Sequence, residues 1–203
     1  MNRSTTKADR LRDSVVVSSL KRSLLIGGFG FCLASVCVFA TVAFAERWMY
    51  SHLGLAGAYV TWTALFILLG GAVLGLLVVG PWQPPRFYVL FGLAFLAYAV
   101  GWIGAYFLLR GAVGEWVGSL VGSFLMCLVL AAGFGVMRLA LKLSVVLFVA
   151  NSVGYFLGSA LSNSMQGKIG MLLWGAVYGL CLGAGLGTVL HIVQSSTRKQ
   201  PRV

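Results

Sequence analysis

The stretch GAVYGLCLGAGLG, residues 175–187, sets Gly175, Gly179, Gly183 and Gly187 four apart in an otherwise apolar run. Four residues is slightly more than one helical turn, so these positions form a shallow groove winding along one helix face, where no Cβ holds a neighbour away. Another helix must lie in that groove. In water each glycine would weaken such a helix by about 1 kcal/mol relative to alanine. In lipid the backbone has no other hydrogen-bond partners, and the helix survives. The stretch therefore reads as the last membrane-spanning helix.

The composition agrees. The chain of 203 residues is 60% hydrophobic and 9% charged, with a mean hydropathy of +0.95, outside the range of soluble globular domains. Six apolar runs can be marked, at 24–45, 55–79, 87–109, 116–137, 143–162 and 169–193. Each is close to the ~20 residues needed to cross ~30 Å of hydrocarbon. The expected fold is all-α: a compact up-down bundle of six transmembrane helices over 24–193, with basic tails at 1–23 and 194–203.

The net charge of +11 is topological. With the N-terminus in the cytoplasm, twelve of the 15 Lys and Arg residues fall on that side and only Arg47, Arg110 and Lys168 on the other. This asymmetry predicts both termini inside, in a cytoplasmic membrane, with lipid rather than nucleic acid as the partner of the basic residues. Lys168 departs from the pattern, being outside and at the start of a helix; a boundary lysine snorkelling to the interface explains it, and contact with an anionic headgroup is the alternative.

Short connections are expected at Glu46–Gly54, Gly80–Pro85, Arg110–Glu115, Arg138–Lys142 and Ser162–Lys168. Ala43-Phe44-Ala45 before Glu46 resembles a signal-peptidase site, but the apolar run ahead of it is too long for a signal peptide, so the first helix is expected to be retained. Residues 95–102 match 148–155 (Phe-x-Ala-x-x-Val-Gly-aromatic), and Cys127-Leu128 with Gly133 matches Cys181-Leu182 with Gly187. Spans three-four and five-six thus read as duplicated helical hairpins.

Small residues four apart recur at Ala150, Gly154, Gly158 and Ser162 in span five. Spans five and six are therefore expected to pack closely, through Gly154 and Gly158 on one side and Gly175, Gly179, Gly183 and Gly187 on the other. A second pattern is aromatic. Tyr98, Trp102 and Tyr106 lie one turn apart on span three, and Asn151, Tyr155 and Ser159 occupy the matching stripe on span five. Tyr59, Trp62 and Thr63 on span two and Trp174 and Tyr178 on span six sit in the outer halves of their helices. Converging, these stripes would line an outward-opening aromatic pocket; separately, they are interfacial anchors and core. Asn151 near the bilayer centre needs a partner, with Tyr98, Tyr178, Ser152 or a ligand as candidates.

Catalysis has little to stand on. No carboxylate sits in mid-membrane, which disfavours proton relays and aspartyl proteolysis. The size of the chain, with Glu46-Arg47-Trp48 outside, serines in span four and a histidine in span six, resembles rhomboid proteases in outline only. Ser119 and Ser123 fall near the outer end of their span and His191 near the inner end of its own, and the Gly-x-Ser-Gly context is missing. Cys32, Cys37, Cys127 and Cys181 show no metal spacing, and the two histidines lie at opposite surfaces. The reading is a protein without catalytic residues, metal or cofactor. Its first candidate role is a packing subunit of a membrane assembly, as a homo-oligomer or with other subunits. The alternative is a solute-binding or transport component for an uncharged small molecule.

Overall fold

The structure, a computed structural model, describes residues 18–79 and 84–198. Helix α1 spans Leu20–Gly75, α2 Pro84–Leu109, α3 Gly111–Gly133, α4 Ala140–Met165 behind a 3-10 turn at Met137–Leu139, and α5 Gly167–Arg198. All five are long and apolar enough to cross a membrane.

Helix α1 is interrupted at Gly54, whose φ of 68° and ψ of −179° suit glycine alone. Its two limbs, 20–53 and 55–75, fold back on each other there. Phe31 stacks on Phe66 with centroids 5.8 Å apart, and Gly30 meets Val73, a pair that a straight helix would hold about 65 Å apart. Arg110 (φ 52°, ψ 164°) and Gln166 (φ 51°, ψ 163°) adopt nearly the same conformation. Each ends one helix and starts the next. The Arg110 N–H donates to Tyr106 O at 2.8 Å while its carbonyl accepts from Gly114 at 3.1 Å; Gln166 does the same with Ser162 and Gly170.

The connections expected on the outer side are therefore far tighter than the sequence suggests. Glu46–Leu53 continues the first helix, which also runs unbroken through Ala43-Phe44-Ala45. The polar residues there signal exit from the hydrocarbon, not the end of the helix. Arg110–Glu115 and Ser162–Lys168 shrink to turns at Arg110-Gly111 and Gln166-Gly167. On the inner side Arg138–Lys142 is helical, and the chain turns at Gly135 (φ 70°). Residues 80–83 of the proline-rich turn, and 1–17 and 199–203 of the tails, lie outside the described residues. Ser19 caps the first helix, accepting from the Arg22 N–H at 3.3 Å, and α5 continues to Arg198. The three outer turns, at residues 54, 110 and 166, are evenly spaced, and that interval is longer than the offset of either sequence match. The matched motifs thus stand at different depths in the two hairpins.

The helices pack as a ring, α1 on α5, α5 on α4, α4 on α3, α3 on α2 and α2 back on α1. The glycine groove of α5 receives the first limb of α1. A Cβ at Gly175 would lie 2.7 Å from Phe39, at Gly179 2.8 Å from the Cys32 backbone and at Gly183 2.5 Å from Phe31, while at Gly187 it would strike the Ser23 carbonyl. The matching stripe on that limb is Ser23, Gly27, Phe31, Ser35 and Phe39. Helix α4 packs closely on α5, though the two ladders do not face one another: a Cβ at Gly154 would lie 3.1 Å from the Tyr178 carbonyl and one at Gly158 3.1 Å from the Trp174 carbonyl. Helix α5 is gripped on two faces at once.

Polar pins close the end of the bundle opposite the turns at Gly54, Arg110 and Gln166. His191 donates through Nδ1 to Ser18 O at 2.9 Å. Gln194 donates to Leu77 O at 3.1 Å and accepts from Val79 N at 3.0 Å, capping the second limb of α1 where its carbonyls lack intrahelical partners.

Candidate functional site

The glycines that draw the helices together also aim the aromatics. Gly118 and Gly122 of α3 admit the α2 backbone, since a Cβ at either would lie 3.0 Å from the carbonyl of Trp102 or Tyr98. With their backbones seated on α3, Trp102 and Tyr98 turn their rings into the bundle. Tyr178 is set likewise by Gly154 on α4.

These rings meet the two limbs of α1 around a cavity of about 220 Å³. Tyr98, Trp102, Tyr155 and Tyr178 line it, as do Tyr59, Trp62 and Thr63 of the second limb. The first limb adds Val38, Phe39 and Val42, and Phe66 and Phe95 complete a wall in which nine of 14 residues are aromatic. Trp102 and Tyr155 form a corner, centroids 5.5 Å apart and planes at 59°.

Four residues of the predicted pocket stand outside this lining. Tyr106 stacks on the back of Trp102 at 5.4 Å. Trp174 packs edge-on against Tyr155 at 5.4 Å and tilted against Phe39 at 5.8 Å. Ser159 is half-buried on α4 away from the cavity. Asn151 is fully buried behind the wall, as the centre of a polar chain. Tyr98 donates to Asn151 Oδ1 at 2.9 Å, and the Asn151 amide donates to Ser119 Oγ at 2.8 Å. Ser119 and Ser152 share a bond of 2.7 Å, Tyr98 and Tyr178 one of 2.8 Å. Because the only proton of Tyr98 goes to Asn151, Tyr178 is the donor to Tyr98. Two expected partners of Asn151, Ser152 and Tyr178, are reached through an intermediary. The expected Tyr98 is a direct partner, and Ser119, set aside as a nucleophile, is the other.

Phe39 and Val42 were missed as lining residues although they sit on a helix whose small-residue stripe is visible in the sequence. Glu115, at the end of an expected connection, is half-buried and accepts from the Tyr155 hydroxyl at 3.3 Å, a long bond. At the outer rim, Lys168 Nζ lies 4.5 Å from the centre of the Phe44 ring, a cation–π contact. Among the described residues no group of three His, Cys, Asp or Glu side chains could hold a metal ion. No protein-family profile, curated protein or solved structure matches the chain.

Proposed function

We propose that this chain is a non-enzymatic multi-pass protein of the cytoplasmic membrane that binds a small molecule in its aromatic cavity, as a solute-binding or transport component. The topology that goes with this reading has six crossings and both termini in the cytoplasm: the fold-back at Gly54 turns the first helix into a pair of crossings, and the basic residues then sort to one side.

The cavity carries the reading. Protein interiors are close-packed, and here a cleft of about 220 Å³ stays open between the helices, with room for a molecule of matching size. Glycines elsewhere in the bundle bring helices to backbone contact, whereas at this cleft rings from four elements hold the walls apart. The competing role, a packing subunit held through glycine faces, loses its principal surface, because the α4 and α5 ladders are filled from within the chain.

The test is native mass spectrometry of the full chain from mild detergent, wild type against Ala99→Phe. Ala99 lines the cavity, so the added ring occupies it with the helices in place. A small molecule carried by the wild type and lost from the variant is the expected result. Identical spectra, or a stoichiometric protein partner with no small molecule, would move the assignment to the subunit role.

A further inference from the structure

Three tyrosine protons of the cavity wall are already committed, and this bears on what the wall can hold. Tyr98 gives its hydroxyl proton to Asn151, Tyr178 gives its own to Tyr98, and Tyr155 gives its own to Glu115. The indole N–H of Trp62 has no partner and no exposed surface, so it does not open onto the cavity. What these side chains present inward is ring faces and oxygen lone pairs. Tyr59 and Thr63 retain hydroxyls at the outer end, and each can turn a lone pair inward as readily as a proton. An anion, or a neutral molecule rich in acceptors, would find few donors in such a wall, the Tyr59 and Thr63 hydroxyls and the Trp102 indole N–H.

A cation meets the opposite situation. Aromatic faces are negative, and an organic ammonium among several rings is attracted without giving up directional hydrogen bonds. Trp102 and Tyr155 provide the corner, at 5.5 Å and 59°. Behind Tyr155 stands Glu115, which has no ion-pair partner among the described residues. Glu46 contributes less, because the polar groove it lines is shared with Lys168 and Arg47.

We infer that the cavity selects a compact organic cation, a quaternary or tertiary ammonium bearing a small aromatic or alkyl group, with Trp102 and Tyr155 facing its charge and Glu115 supplying the counter-charge. At 220 Å³ the space is smaller than the ~300–1,000 Å³ of drug-sized sites, which sets the scale of the molecule. This inference rests on the small-molecule reading above and specifies its ligand.

Its test is calorimetric titration of the full chain in detergent with phenyltrimethylammonium and with tert-butylbenzene, its uncharged carbon isostere. The Ala99→Phe protein serves as the blocked reference, removing micelle partitioning from both. The cation should bind about tenfold more tightly than the isostere, and Glu115→Gln should weaken it severalfold. Equal affinities for the pair, or no effect of Glu115→Gln, would overturn the cationic assignment while leaving the cavity a binding site for uncharged molecules. Heats indistinguishable from the blocked reference for both compounds would overturn both readings together.

Discussion

The two limbs of α1 are made of similar apolar residues and meet their neighbours in opposite ways. The first limb lies in the glycine groove of α5 so closely that a Cβ at Gly27 would come within 2.5 Å of the Gly183 carbonyl. The second limb faces α2 across Phe66, Trp62 and Phe95, and the cavity lies between them. In lipid, hydrophobicity gives neither contact an advantage, because acyl chains are as apolar as leucine. Side-chain size decides instead. Residues without a Cβ let dispersion and backbone contact accumulate, whereas several large rings meeting at angles cannot fill the space they enclose.

The contrast is broken most severely by Gly183→Leu. Its side chain would be driven into the Gly27 carbonyl and the Phe31 Cβ, and a loss of about 4 kcal/mol or more is expected, read as a shifted midpoint or an absent folded fraction in a mixed-micelle unfolding titration. Asn151→Leu acts on the ring wall from behind. It leaves the Tyr98 proton without its acceptor, while Ser119 keeps its bond to Ser152, and should cost about 1–3 kcal/mol in the same titration, with part of the loss recovered in a Tyr98→Phe background that no longer needs the acceptor. The smallest effect is a gain. Arg110 and Gln166 hold the conformation that Gly54 holds without strain, so Arg110→Gly and Gln166→Gly should each stabilise by about 1 kcal/mol, the release of strain exceeding the added chain entropy. Both regions hang from these turns, and the gain should leave cavity binding unchanged.

How much could be read in advance follows from the range of each interaction. The α5 ladder was legible because helical period turns a spacing of four into a continuous face, yet a groove does not name its occupant. Choosing α4 favoured the nearest neighbour in sequence over the Ser23-to-Phe39 stripe, which carries the same period. The aromatic stripes and the need of Asn151 for a partner were legible for the same local reason. Which of those residues line the cavity was not, since Asn151 and Tyr155 are one turn apart and lie on opposite sides of the wall. Helix ends were misjudged where charge was taken as a boundary. Glu46 and Arg47 sit within the first limb, and Gln194, grouped with the basic tail, is a buried cap. Helical hydrogen bonds do not stop where the hydrocarbon does.

The seating of the first limb on α5 has a consequence for biogenesis. A chain emerges from the ribosome in order, so the N-terminal limb enters the bilayer well before its groove exists, and His191 and Gln194, which pin its flanks, come later still. Until then the stripe from Ser23 to Phe39 faces lipid or the insertion machinery. Closure of the ring thus waits until α5 has been made and slots in against the first limb.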